Sequence, residues 1–375
     1  MRLFRKKNWV ALIQDSSWVV AKVSRRKRML KVHKLFEYKN EDRLLAEDNA
    51  PMPESSGQDD ISREEGEQLK QRLKKDRIPL KKLKVTLSCP GVITRIITLP
   101  LLSAKELDKL LTEQVDQYFT MNIEDYLIDY RIMDQFVEDG QKRQRILLAA
   151  IPKDQWEKFR KECEDLGFTP KVVDLAADSL ARLYSQVGLP SRSDPQSSVP
   201  DLAIVDLGRE RIEIVLLEHG VFFLYSDLEV NLKGLEDYAE ALKNVQSQTI
   251  IDESKENNED VDAINNELRL NSSELTERGV QAEMEGLLNP VLHALTDFFH
   301  FFSSRHYGKS VDKIFLTGYY SNIPLLSDIF KQVLELETQV GFPRGWHPQL
   351  NRKSKELQEN WMKYGSLYGL ALRED

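Results

Sequence analysis

Side chains able to do covalent or metal chemistry are few in this sequence and poorly grouped. His293 and His300 stand seven residues apart in an apolar stretch. Zinc takes three or four ligands, and no Cys or acidic cluster joins the pair, so they read as helix-edge residues. Cys89 and Cys163 are too few for a disulfide framework or a zinc site. Two lone thiols point to a reducing compartment. The sequence has no Walker A pattern, no Gly-x-Ser-x-Gly and no His-Glu-x-x-His. No catalytic residue and no metal site is therefore assigned. Two turn-like clusters remain. Asp206-Leu207-Gly208 closes an apolar run, although Asp and Gly suit turns anywhere. Arg25-Arg26-Lys27-Arg28 is strongly basic, but without interleaved aromatics it reads as a solvated hairpin tip.

The chain around these residues has 375 residues, enough for two to three domains. It is 30% charged and 41% hydrophobic, with a net charge of −8, which suits a globular protein and makes it a poor bulk binder of nucleic acid, although local basic patches can still act. No nucleic-acid partner is expected. No apolar run approaches the roughly 20 residues of a membrane span. The start carries Arg2, Arg5, Lys6 and Lys7, but its apolar part, residues 9–13, is too short for a signal peptide and Asp15 follows. A cytoplasmic location is expected. Those four cations either touch anionic lipid, at about 1 kcal/mol each near the surface, or form a solvated terminus.

Strands are predicted at residues 9–13, 18–23 and 29–38, joined by polar turns. Residues 40–60 read as a loop, and Ser62 with Glu65 as a capping box opening a helix. Strands follow at 84–87 and 92–99, then a second capping box, Ser103 with Glu106, before a helix that lines up Leu107, Leu110 and Leu111. A strand pair at 126–133 and 145–151 turns at Glu138-Asp139-Gly140, and two helices follow, the second over about 175–187. The Pro- and Ser-rich residues 189–200 mark the boundary between two halves. Three strands then return over about 202–228, an internal duplication. Residues 252–278 hold nine acidic residues against three basic, so the segment is expected to be mostly flexible, with a short amphipathic helix around 261–270 as the alternative. A long apolar helix (Leu287 to Phe302), a strand at 313–317, a helix through Leu325 and Val333, and a C-terminal helix through Trp361 and Tyr368 complete the chain.

Two β-β-β units, an Asp-x-Gly at the first turn of the second, and a late strand–Gly–helix follow the order of the actin/Hsp70/sugar-kinase superfamily. Within it the chain resembles the PilM family of type IV pilus assembly proteins, relatives of FtsA. The carrying segments are Pro90 to Pro100, Asp116-Gln117-Tyr118-Phe119, Phe301-Phe302-Ser303-Ser304 with Val311-Asp312-Lys313-Ile314, Asn322-Ile323-Pro324-Leu325-Leu326, and the ending over 365–373. The resemblance implies an α/β, actin-like (ribonuclease H-like) duplicated two-lobe fold with an inserted small subdomain. Its parts would be 1–83 plus 171–200 for the first lobe and 84–170 for the insertion. The second lobe would take 201–235 plus 285–375, with a reduced outer subdomain at 236–284 that includes the flexible acidic segment.

The resemblance also implies a nucleotide site of three turns. Small residues there let backbone N–H groups reach phosphates. The matching positions are Asp15, Ser16 and Ser17, then Asp206 and Gly208, then Gly318. The turns depart from the family pattern. Ile13 stands at the acidic position, Asp15 at the second glycine, Arg209-Glu210-Arg211 at small residues, and Tyr319-Tyr320 beside Gly318. In one reading the site has decayed and no cofactor is expected. In the other it binds ATP and Mg unusually, with Arg209 or Arg211 as phosphate ligand, in an active actin-like ATPase.

As a partner, the resemblance implies the cytoplasmic N-terminal tail of a PilN-type bitopic membrane protein, held in a groove beside residues 84–170. That places the protein peripherally at the cytoplasmic face of the inner membrane, in contact with membrane machinery. Such tails are rich in Lys and Arg, and Glu113, Asp116, Glu124, Asp125 and Asp129 give the segment an acidic bias. A solvated charged face is the alternative.

Overall fold

The computed structural model describes residues 7–14, 17–26, 29–39, 58–185, 187, 198–209, 211–238, 262–343 and 361–373. Its frame is one strand topology used twice. In the first sheet β1 (Lys7–Ile13), β2 (Ser17–Arg26) and β3 (Met29–Lys39) are antiparallel, and β4 (Leu83–Leu87) and β8 (Val173–Leu175) add in parallel, giving the order β3-β2-β1-β4-β8. In the second, β9 (Leu202–Leu207), β10 (Ile212–Glu218) and β11 (Val221–Leu228) are followed by β12 (Lys313–Thr317) and β13 (Thr338–Val340), in the order β11-β10-β9-β12-β13. Inserted in the chain between β4 and β8 is a three-stranded sheet of β5 (Ile93–Pro100), β7 (Gln141–Pro152) and β6 (Tyr126–Glu138), with β7 in the centre.

Both large sheets bury both faces, so their central strands are apolar runs rather than alternating ones. Val10 and Leu12 of β1 join an inner core with Ile204, Val215 and Phe315 of the second sheet. Ala11 and Ile13 point the other way, toward Leu73 of α1 (Gln58–Lys75) and Phe159 and Cys163 of α3 (Lys153–Asp165). The outer face of the second sheet packs on α5 (Asp262–Arg305) through Leu288, Leu292 and Leu295, and on α6 (Leu326–Leu334) through Ile329 and Phe330. The small sheet covers α2 (Ala104–Gln114) through Ile146, Leu148 and Ala150. The Ser103–Glu106 capping box forms as expected, with both reciprocal bonds present.

Two helices fill the inner core between the sheets: α4 (Ala176–Tyr184) and α7 (Gly365–Ala371), the latter following a 3₁₀ turn at Trp361–Tyr364. Every residue of α7 is buried. Gly369 lies so close to Ser179 of α4 that a Cβ would overlap the Ser179 carbonyl, and a Cβ on Gly365 would sit 2.9 Å from Leu180. Although α7 follows the second sheet in sequence, it also packs on β1, β2 and β4 of the first.

Several expectations need correction. Helix α1 starts at Gln58, so Ser62 and Glu65 sit inside it rather than capping it, and residues 58–60 are helical rather than loop. Residues 40–57 lie outside the described residues. The acidic segment is helical from Asp262 onward, as the first part of the 44-residue α5, where mostly flexible chain was expected. Residues 252–261 lie outside the described residues. A helix propagates from an anchored end at one hydrogen bond per residue fixed, so the apolar half beyond Met284 extends a polar stretch that would not nucleate alone. Strands β8 and β13 were not anticipated. Among the described residues no helix is long and apolar enough to cross a membrane.

Gly369→Ala should lower the thermal and urea midpoints by the equivalent of about 1–3 kcal/mol, the usual cost of overpacking a tight core. Gly279→Ala, on α5 with open space around the added methyl, should instead raise them by about 0.5–1 kcal/mol, the helix-interior difference between the two residues.

Candidate functional site

Strand β1 ends at Ile13, whose carbonyl accepts from the Ser88 N–H at 3.1 Å, and the chain turns there. Gln14 N–H donates to the Ser17 carbonyl at 3.0 Å, and the Ser17 hydroxyl donates to the Gln14 side chain at 3.2 Å. Asp15 and Ser16 lie outside the described residues. The matching end of the second sheet is the β9–β10 hairpin through Gly208, where a Cβ would overlap the Arg211 carbonyl. Gln14, Ser17, Asp206, Gly208, Arg209 and Glu213 line one open cleft, with Ser88, Tyr319 and Lys363 also on its walls. Gly318, at φ +96°, closes its floor so tightly against Asp206 and the Leu207 backbone that a Cβ would overlap both. Of the six sequence-predicted positions, then, Ser17, Asp206 and Gly208 line the cleft and Gly318 abuts it.

The floor carries two buried carboxyls. Asp206 and Glu213 are direct cross-strand partners. Burial raises Asp206 well above the ordinary carboxylate range, and the neighbouring Glu213 raises it further. Burial pushes Glu213 up to about 7, against the lowering effects of the Ser88 hydroxyl, the Arg211 charge and the Tyr225 hydroxyl. Ser88 donates to it at 3.0 Å and Tyr225 at 3.2 Å. Arg211, itself buried, stands 3.6 Å from Asp227, which also accepts from the Gly91 N–H at 3.3 Å.

The wall is a stack of cations on a ring. Arg209 lies 4.4 Å from the centre of the Tyr319 ring and donates to its hydroxyl at 2.6 Å. The Lys363 ammonium lies 4.0 Å from the same ring centre. Glu236 stands 3.6 Å from Arg209. Cation–ring contacts of this kind contribute about 0.5–2 kcal/mol each, depending on desolvation. At the mouth, Tyr364 donates to Glu37 at 3.1 Å.

Sequence reasoning missed Glu213, Ser88, Lys363 and the stack. Glu213 had a signal: it is an acid inside the apolar run Ile212–Glu218, and pairing the hairpin around Gly208 sets it opposite Asp206. Ser88 and Lys363 come from distant segments, and only the fold brings them in.

The five acidic residues beside the small sheet do not form one patch. All are exposed. Glu113 pairs loosely with Lys109 on α2, and Asp116 lies in the 3₁₀ turn that follows. Glu124 and Asp125 offer backbone carbonyls to Lys153 at the start of α3. Asp129 is different. Tyr126, Ile128 and Tyr130 of β6 face the α2 core, so Leu127, Asp129 and Arg131 take the opposite side. There Arg131 bridges to Asp178 on α4. Asp129 and the 40%-exposed Leu127 thus sit on the rim between the small sheet and the inner core.

His293 and His300 are both exposed on α5, and among the described residues no group of three or more His, Cys, Asp or Glu side chains is placed to hold a metal. Cys89 and Cys163 are buried free thiols, and burial pushes Cys163 up to about 12.

Glu213 gives a pH prediction. Its folded value, about 7, lies above the ordinary 4.5, so the folded state holds this proton more tightly than the unfolded chain. The favourable contribution is complete below pH 4.5 and is lost as pH rises to about 7. Glu213→Gln should flatten the pH dependence of stability across that window by roughly 3 kcal/mol at most, measured by urea unfolding at a series of pH values. An unchanged slope would refute the assignment.

Comparison with known proteins agrees with the duplicated frame. The solved structure of a PilM–PilN type IV pilus biogenesis complex matches with a TM-score of 0.64 at 19% identity, over 98% of this chain and 98% of that one. A protein from Bacteroides thetaiotaomicron with an actin-like ATPase fold and unknown function matches at 0.41 and 10% identity, over 99% and 97%. The ethanolamine utilization protein EutJ from Carboxydothermus hydrogenoformans matches at 0.42 and 11% identity, over 99% and 91%. The first of these, the PilM–PilN complex, shares the fold over nearly the whole chain. A family model for the type IV pilus assembly protein PilM matches residues 20–375. With nearly the whole sequence inside that match, the chain belongs to the PilM family of type IV pilus assembly proteins.

Proposed function

We propose that the protein is a cytoplasmic scaffold of type IV pilus assembly, or of a related competence or secretion system, that binds the N-terminal tail of a PilN-type bitopic inner-membrane protein. The observation that carries the reading is the family match over residues 20–375. The partner class follows from a solved relative described as a PilM–PilN complex. For the docking place, the rim beside β6 is supported by chemistry: exposed Leu127 and Asp129 offer an apolar and an acidic contact side by side. A tail rich in Lys and Arg fits such a strip. Glu113 and Asp116, on the other side of the small sheet, do not share it.

The cleft does not fit ATP and Mg²⁺ well, and in this reading it is a degenerate nucleotide site. Tyr319, with Arg209 and Lys363 both against its ring, takes the region where the family's small adenosine loop leaves room. Asp206 has another carboxyl as its neighbour, and Gly318 seals it from one side. A competing reading rests on Arg209 and Lys363, two cations on the cleft wall that could meet phosphates. In that case the protein is an active ATPase of the same machinery.

Two measurements decide. Charge reversal Asp129→Lys should weaken co-purification with a PilN-type tail by about fivefold or more, a desolvated ion-pair scale, while Glu113→Lys should leave it unchanged. Equal retention of the tail by both variants would remove this docking place. Saturating Mg·ATP should leave the melting temperature nearly unchanged. A ligand at a hundred times its dissociation constant stabilises by about 2.7 kcal/mol, so a clear shift that Asp206→Ala abolishes would overturn the degenerate-site reading and leave hydrolysis to be assayed directly.

A further inference from the structure

One segment of this acidic protein carries a strong basic excess. Residues 1–39 contain twelve Lys and Arg against Asp15 and Glu37, in a chain whose net charge is −8. The fold brings most of the described members of that set toward one end of the first sheet, while Lys39 pairs with Ser17 at the cleft end. Lys7 opens β1 and pairs with Ser24 of β2, and Arg25 follows Ser24 toward the hairpin tip. Lys31 of β3 lies opposite Ser24. Lys22 and Lys34 stand directly opposite each other across β2 and β3, an arrangement that like charges disfavour.

Other segments add to the same end. Lys81 and Lys82 precede β4, whose first residue, Leu83, pairs with Trp9. Lys171 precedes β8 at that level, since Val173 pairs with Val85. Lys7, Arg25, Lys31, Lys81, Lys82 and Lys171 are all exposed. The C-terminal carbonyls of Leu372 and Arg373 are tied there by Arg25 and Lys84.

Among the described residues, acidic side chains are scarce around them. The described parts of β1, β2, β4 and the Leu80–Lys82 turn have none. Glu37 sits at the far end of β3, near the cleft. Asp174 of β8 is buried and bridged by Arg182 and Arg373. Asp76, after α1, accepts the Tyr38 hydroxyl, and Tyr38 pairs with Trp18 at the cleft end. Among the described residues no ion pair forms to Lys7, Lys31, Lys81 or Lys82.

We propose that this basic end of the first sheet docks on an anionic lipid bilayer surface. The cations come from a hairpin and three strand entries, which suits an extended plane of charge better than a small ligand. Each Lys or Arg near such a surface contributes about 1 kcal/mol, screened by salt. Single-stranded nucleic acid would want exposed rings to stack on. Here Trp9 is buried beneath the Lys22 ammonium, 5.2 Å from its ring centre. The cleft lies at the opposite end of β1, and the β6 rim belongs to another sheet, so docking leaves both open. The proposal is independent of the tail and ATP readings, and either can fail without the other.

The test is flotation of the full chain with phosphatidylglycerol–phosphatidylethanolamine vesicles, against pure phosphatidylcholine vesicles. Binding is expected to the anionic vesicles only, and to fall steeply as sodium chloride is raised. K81E/K82E and Lys31→Glu should each weaken it, by roughly fivefold per cation removed, with unchanged melting temperatures. Lys105→Glu on α2 should have no effect. Inorganic phosphate should release the protein no better than chloride at equal ionic strength. Absent binding at low salt, equal binding to neutral vesicles, or specific release by phosphate would overturn the proposal. So would tighter binding to a single-stranded oligonucleotide that the same reversals abolish, which would assign the surface to nucleic acid.

Discussion

The contact on which the architecture depends is the close approach of α4 and α7 between the two large sheets. Each helix alone is short, nine and seven residues, and neither would persist in water by itself. They persist because α7 is wholly buried and α4 is buried at every position but Arg182, and enclosure needs small residues where they meet. Gly369 has no space for a side-chain carbon against Ser179, and Gly365 little against Leu180 and Thr317. Thr317 ends β12, so this one junction touches both sheets and the start of the Gly318 turn. Tyr184, at the end of α4, donates to the Gly341 carbonyl at 2.9 Å and so fixes β13 from the first half of the chain. The position of the cleft floor relative to the cleft wall follows from this packing.

What could be read from the sequence, and what could not, divides along physical lines. The long strands of both β-β-β units were legible because a buried strand is a run of branched and aromatic residues between turn residues. Strands β8 and β13 are three residues each and add in parallel to a preformed sheet, so nothing in their own composition marks them. The Ser62–Glu65 pair misled because a capping box signals a helix start only when the preceding residues cannot be helical. The beginning of α5 was legible only as the alternative short amphipathic helix around 261–270, because its apolar period is brief and its helical state depends on the anchored half that follows.

The candidate site divides in the same way. Asp206, Gly208 and Gly318 were legible as turn residues at the ends of strands. The chemistry around them was not, because it is made by pairing. Glu213 matters through its register with Asp206, and Ser88 through the parallel strand β4 that the chain reaches only after α1. The Arg209–Tyr319–Lys363 stack joins residues that are 110 and 44 positions apart in the sequence. The acidic set beside the small sheet looked uniform in sequence, yet strand alternation sends Asp129 to the opposite side from its neighbours in the α2 core.

The glycines at the cleft bear on how much weight a turn motif can carry. Gly208 and Gly318 would each be required in this fold with or without a nucleotide. A side chain at 208 would strike the Arg211 carbonyl, and one at 318 would strike Asp206 in a left-handed backbone conformation that favours glycine. Asp206 is likewise held by its neighbours, buried between Gly318 and Glu213. Motif residues that are fixed by packing persist for packing reasons, so their presence does not by itself argue for phosphate binding. The informative positions are those that packing leaves unconstrained and that face the cleft. There the chain carries Gln14, Arg209 and Tyr319, larger than the small residues a phosphate cradle needs for backbone N–H groups to approach. In this cleft the frame of the fold and the chemistry of the site are specified by different residues, and only the second set bears on function.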